Sequence, residues 1–120
     1  MLFLFLLLGL WQNAGPAGPC QARLKLEQHG NLLTVTGHCR NMLPIAASYR
    51  YELAVLRESN GNRSQNTQSG AFNAPALADI ALSQSTTNVG PQDVYSIHLR
   101  VLDMNGHTLA QDSAKQVSTH

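Results

Sequence analysis

The chain has 120 residues, 43% of them hydrophobic, and 8 basic against 7 acidic side chains for a net charge of +1. That is one domain's worth of sequence, and so even a balance gives no bulk electrostatic case for nucleic-acid binding. Six of the basic residues are arginines, Arg23, Arg40, Arg50, Arg57, Arg63 and Arg100. Their planar, bidentate contacts with carboxylates and amides point to surface recognition.

Met1 to Trp11 is an unbroken apolar run, followed by the small and polar residues Gln12-Asn13-Ala14-Gly15-Pro16-Ala17. A hydrophobic core followed by small residues is the pattern of a secretory signal peptide, cleaved after Ala14 or Ala17. The run is shorter than the roughly 20 residues a membrane span needs. The first basic side chain is Arg23, so the usual cationic start is missing. Pro19 before Cys20 argues against a lipoprotein cleavage site. The expectation is a leader over 1–17 and a single exported domain over 18–120, periplasmic, monomeric and free of the membrane once mature.

Cys20 to Cys39 reads as a β-hairpin. With His29-Gly30 as a two-residue turn, Leu26 faces Leu33, Leu24 faces Val35 and Cys20 faces Cys39. Arg23, Lys25, Glu27, Thr34 and Thr36 then fall on the opposite side from the apolar residues. In an oxidising compartment the two cysteines would form a disulfide, contributing about 3 kcal/mol by loop-closure entropy. The other reading is two unpaired buried thiols.

Asn41-Met42-Leu43-Pro44 is a connection, since Pro44 cannot donate to a ladder. Ser48–Glu58 alternates, with Tyr49, Tyr51, Leu53 and Val55 on one face and Arg50 and Glu52 on the other, the signature of a central strand. Asn60-Gly61 is a turn signal. Ser59–Gly70 is polar throughout and reads as a loop or as a polar edge strand running on to Phe72. A short strand is expected over Ala76–Ser83, with Leu77, Ile80 and Leu82 as its apolar content, and a loop over Ser85–Pro91.

Val94–Leu102 alternates again, with Tyr95, Ile97, Leu99 and Val101 inward and Ser96, His98 and Arg100 outward. Asp93-Val94-Tyr95 resembles the tyrosine corner of immunoglobulin-like folds. Asn105-Gly106 returns the chain as a last hairpin. A two-residue turn there sets Leu99 opposite Asp112, so a bulge is expected. Seven short strands in about 100 residues predict an all-β, immunoglobulin-like antiparallel sandwich.

Catalytic signatures are absent: no nucleophile elbow, no phosphate-binding glycine loop, no suggestive carboxylate pair. The expectation is a protein that is not an enzyme, with no cofactor and no resident metal. Five histidines and three methionines leave a small copper carrier as one alternative. Met104 and His107 can share a hairpin tip, yet two ligands do not hold a metal alone. A non-catalytic adhesion or fimbrial module is the other alternative. If the third and sixth strands are sheet neighbours, Arg50, His98 and Arg100 form a cationic patch on a flat sheet. Its bland counterpart is a charge-dotted exterior that blocks edge aggregation.

Several stretches together resemble one small family. They are Cys20-Gln21-Ala22-Arg23, Thr36-Gly37-His38-Cys39-Arg40-Asn41, Tyr49-Arg50-Tyr51-Glu52-Leu53, Asn62 through Gly70, and His98-Leu99-Arg100-Val101. The family is the periplasmic curli accessory chaperones of the CsgC-like group, specifically the CsgH branch. The resemblance implies an immunoglobulin-like, non-enzymatic protein that restrains amyloid formation by the secreted major curli subunit. It also implies electrostatic attraction between a basic surface and that acidic, disordered client. The Cys-x-Cys motif of the CsgC branch is missing here, so that branch's redox chemistry is not carried over. From the outward positions of this chain, Arg50, Arg63, His98 and Arg100 are the expected client-binding residues.

Overall fold

The structure is a computed structural model that describes residues 18–59, 61–90 and 92–117, the side chains of 116 and 117 excepted. The expected leader, and Asn60 of the expected Asn60-Gly61 turn, lie outside the described residues. Seven strands form among these residues: β1 Cys20–His29, β2 Leu32–Asn41, β3 Ala47–Ser59, β4 Asn62–Ala74, β5 Asp79–Asn88, β6 Val94–Leu102 and β7 Thr108–Val117. They make two antiparallel sheets, β1-β2-β5 and β4-β3-β6-β7. The third and sixth strands are neighbours at the centre of the larger sheet, as the immunoglobulin-like reading requires.

The first hairpin forms with its apolar faces as expected, but two residues out of the expected register. His29 pairs with Leu32, so the turn is Gly30-Asn31. Gly30 has φ of +61° and takes the first central place, as a glycine-first type II′ turn demands. A two-residue slip preserves the period of the pleat, so the same side chains stay inward. Every partner changes: Leu26 faces Val35 and Leu24 faces Gly37. Cys20 pairs with Asn41 and Ala22 with Cys39, which sets the two cysteines diagonally. They are buried free thiols 4.3 Å apart, so the expected direct opposition and bond are not what the structure shows. The neighbouring Cys20 thiol, and then burial, hold the Cys39 thiol well above its ordinary range.

The core lies between the sheets. Leu33 and Val35 of β2, Leu53 and Val55 of β3, and Tyr95, Ile97 and Leu99 of β6 pack with Val89. These are the alternate residues of three strands, so the pattern in the sequence is the pattern of the core. At Gly37 the sheets close up: a Cβ there would sit 3.2 Å from Leu99 Cδ1. Tyr95 is fully buried, and its hydroxyl donates a short hydrogen bond to the carbonyl of Asn88, seven residues upstream. The tyrosine corner is therefore real.

Two elements differ from expectation. β5 runs from Asp79 to Asn88, three residues later at its start and well into the expected loop at its end. Leu77 is exposed at a left-handed φ of 56°, in the turn that follows Pro75. The strand's second half, Gln84 to Asn88, pairs with β2 through small polar residues, which hide the alternation from a hydrophobicity-based reading. β4 is a full strand of 13 residues, settling the loop-or-edge question in favour of the edge.

The expected bulge is present near Val101 and Leu102. Val101 pairs with Ala110 and Leu102 with Thr108, leaving Leu109 as the extra residue. It does not relieve the Leu99–Asp112 opposition, because Asp112 turns toward β1 and accepts the backbone N–H of Leu24.

Asn41 ends β2 rather than belonging to the connection after it, and it is fully buried. Its amide nitrogen donates to the carbonyls of Ile45, Ala74 and Pro75, and its oxygen accepts from the Leu43 N–H and the Tyr49 hydroxyl. One side chain thereby satisfies backbone groups that the β2–β3 and β4–β5 connections would otherwise leave unpaired.

Candidate functional site

Alternation fixes what the larger sheet shows to solvent. Arg50, Glu52 and Ala54 of β3 stand beside His98 and Arg100 of β6, flanked by Thr67 and Ser69 of β4 and Gln111 and Ser113 of β7. Two open grooves cross this wall. One of about 630 Å³ is lined by Glu52, Thr67, His98, Arg100 and Ser113, and one of about 380 Å³ by Arg50, Glu52, Ser69, Arg100 and Met104. Both are surface troughs between side chains, suited to an extended polymer lying across the strands rather than to an engulfed small molecule.

The four sequence-selected residues do not share one place. Arg50, His98 and Arg100 come together on this wall, as expected from the adjacency of β3 and β6. Arg63 does not join them. It pairs with Glu58 at the far end of the β3–β4 hairpin, eight residues along β3 from Arg50, or roughly 27 Å at strand rise. There its Nε lies 3.3 Å from the Glu58 carboxylate, both side chains being well exposed. Such a pair contributes about 0–1 kcal/mol.

The charge of the wall is partly cancelled from within. Glu52 sits directly opposite Arg100, whose Nη2 and Nε donate to Glu52 Oε1 at 2.5 and 3.2 Å. Nη1 of the same guanidinium donates to Thr108 Oγ1 at 3.2 Å. Arg100 is thus a held, half-neutralised cation. Arg50 is exposed and, among the described residues, has no carboxylate partner. It is the unpaired, exposed arginine of the face, among the described residues.

Three acidic residues with structural work went unselected in the sequence. Asp93 is buried and sits 3.3 Å from Arg57 Nε. Hydrogen bonds from Ser59 and from the Gly90 N–H, followed by the Arg57 charge, hold its carboxyl below the usual carboxylate range. Asp103 caps the last hairpin, accepting the N–H groups of Asn105 and His107 at 2.9 Å, and these bonds likewise lower its pKa. Asp112 is the third, on β7. An acidic residue on an otherwise inward-facing phase of a strand is the available signal for Asp112.

The histidines are dispersed. His38 lies 3.7 Å from Asp79 on the smaller sheet, His98 is on the larger, and His107 Nδ1 is 3.2 Å from Asp103 Oδ2 beside exposed Met104. Among the described residues, no three histidine, cysteine or carboxylate side chains converge in a way that would hold a metal ion.

Fold and face together define an immunoglobulin-like sandwich whose larger sheet carries a flat, charge-dotted wall. The particular likenesses are to the E. coli curli protein CsgC and to R. palustris CsgH. CsgC superposes with a TM-score of 0.64 at 24% identity, over 78% of this chain and 96% of that one. CsgH gives 0.59 at 19%, over 77% and 89%. A Bacteroides uniformis β-glucuronidase also matches, with a TM-score of 0.60 at 12% identity, over 83% of this chain but 14% of its own. At these identities the likeness is one of fold. The sandwich accounts for nearly all of CsgC and CsgH but for one small part of the glycosidase. No family model matches the chain, and no curated protein matches it.

Proposed function

We propose that this protein is a curli accessory chaperone of the CsgC-like group, CsgH branch. It is non-enzymatic and acts in the periplasm after removal of a leader over 1–17. It restrains premature amyloid formation by the major curli subunit. The observation that carries this reading is the fit to a curli protein over 96% of that protein's length, in a chain whose motifs resemble the same family.

Mechanistically, an acidic, unfolded client is drawn to the β3–β6 wall by Arg50 and Arg100, with His98 beside them. Charge attraction of this kind speeds encounter and sets orientation more than it deepens affinity. A shallow wall suits the task, because a client that must later be released cannot be held in a deep pocket. Arg63, remote from this wall, acts as a separate contact at the hairpin tip.

The test mixes the purified protein with unfolded curli subunit and follows fibril growth by dye fluorescence. The expected result is a prolonged lag at substoichiometric protein. Replacing Arg50→Glu together with Arg100→Glu, with the fold verified by circular dichroism, should abolish the delay. A folded double variant that delays fibrils as well as the parent removes the wall from the mechanism.

A further inference from the structure

Strand edges in soluble proteins are normally guarded. Lysine, proline, bulges, short length or an inward-turned charge keep the unpaired backbone from recruiting another chain. In this sandwich β7 and β1 guard each other, the Asp112 carboxylate accepting the Leu24 N–H. β5 carries a register shift against β2 near Gly37 and His38. From Ser64 onward β4 lacks these devices: its one charge, Arg63, lies at the hairpin end beside Glu58, and a single side-chain bond, Asn66 Nδ2 to Ser85 Oγ at 3.3 Å, reaches β5.

β4 is the terminal strand of the larger sheet, with 13 residues in unbroken register against β3. From Ser64 to Ala74 it contains no charged residue and no proline. Among the described residues, no backbone hydrogen bond ties Ser64–Asn73 to any strand but β3. The free edge is therefore about 34 Å of uncharged backbone at strand rise. Its side chains are chiefly amides and hydroxyls, with Gln65, Asn66 and Thr67 exposed.

We propose that β4 is a strand-addition site whose occupant is an extended, uncharged segment rich in Asn, Gln, Ser and Thr. Main-chain pairing supplies the attraction, and amide side chains aligned between neighbouring strands add hydrogen bonds of the kind that stabilise stacked Asn/Gln ladders. The absence of charge from Ser64 to Ala74 selects against a charged occupant, whose ionic groups would find no counter-charge along that stretch of the strand. This site is the backbone edge of the sheet that carries the Arg50–Arg100 wall, with Thr67 and Ser69 bordering both, and it does not depend on the curli reading.

The test uses the full exported domain and a synthetic peptide of Asn, Gln, Ser and Thr residues, with blocked termini and no charged side chain. Amide hydrogen exchange is read by NMR. At saturating peptide, alternate amides within 64–73 should exchange about tenfold more slowly, because in an antiparallel edge only every second N–H points outward.

Thr67→Pro and Gln68→Pro then separate the two sets of N–H groups. One proline removes an edge-facing donor and leaves the melting temperature nearly unchanged, while the other breaks a bond to β3. The folded edge variant should lose the peptide-induced protection. Should both prolines unfold the domain, Ser69→Lys places a natural edge guard on the exposed side of β4, and protection should fall about tenfold there too. The Arg50→Glu, Arg100→Glu variant should keep the protection, so failure of the wall and failure of the edge are distinguishable. No protection in the parent, or protection that persists in the edge variant, overturns the proposal. So does protection already present in the free protein through a dimer that the edge variant abolishes, since the occupant is then a second copy.

Discussion

The Asp112 carboxylate on β7 accepts the backbone N–H of Leu24 on β1, with Oδ2 2.9 Å from the nitrogen. One side chain thus joins the two sheets at an edge where no ladder runs among the described residues. Asp112→Ala leaves that N–H without a partner in a half-buried place, and the loss should be about 1–3 kcal/mol. Asp112→Asn retains an acceptor oxygen and should lose less. Urea midpoints at constant slope measure both.

Tyr95 anchors the corner by donating to the Asn88 carbonyl from a fully buried ring. Tyr95→Phe keeps the ring and deletes the donor, leaving a carbonyl unsatisfied. The expected destabilisation is about 1–2 kcal/mol, seen as a lower denaturant midpoint with the core intact.

Asn41 bonds to five groups at once, so its replacement exposes no surface yet strands several partners. Asn41→Ala should cost about 2–3 kcal/mol, well above an ordinary surface change. Thermal unfolding in parallel with a Ser48→Ala control, on the exposed side of β3, separates the two cases.

Asp93 links stability to pH. Its folded carboxyl is depressed by the Ser59 and Gly90 hydrogen bonds and by Arg57, so the stabilisation is complete above the unfolded value near ~3.9 and is lost as pH falls through the lower folded value. Asp93→Asn should therefore be less stable than the parent at neutral pH, with the gap closing as the solution is taken below about pH 4. Denaturant titrations at a series of acid pH values read this directly. A gap that is constant with pH shows that the Arg57–Asp93 pair does not carry the linkage.

Glu52 restrains the wall, since its carboxylate neutralises Arg100 across the β3–β6 pair. Glu52→Gln frees that guanidinium. The variant should lengthen the fibrillation lag at low salt, and the gain should fade as ionic strength rises to about 0.15 M, where the screening length is about 8 Å.

Much of this architecture can be read directly from alternation. Tyr49 to Val55 and Tyr95 to Val101 declare both the core and the adjacency of two central strands, because each has one face that only burial satisfies. Positions where two arrangements keep the same faces are harder. A turn at His29-Gly30 and one at Gly30-Asn31 leave every apolar side chain inward, and only the cross-strand partners tell them apart. The end of β5 escapes notice because Gln84 to Asn88 are polar on both sides, and their pairing with β2 is a tertiary fact. The same holds for the candidate wall. The outward placement of Arg50, His98 and Arg100 follows from strand period, but the opposition of Glu52 to Arg100 and the distance to Arg63 follow from inter-strand register, which no local signal carries.

The asymmetry of the larger sheet has a practical result. On one flank the backbone of β1 is bonded to β7 through Asp112, while on the other β4 meets β5 only through the Asn66–Ser85 side chains and its backbone edge stays open among the described residues. A growing stack of strands that reached such a molecule would find a single receptive side and nothing to continue from beyond it. Strand addition at β4, as proposed above, would make the molecule a terminator and not a link, halting elongation at one molecule per growing tip.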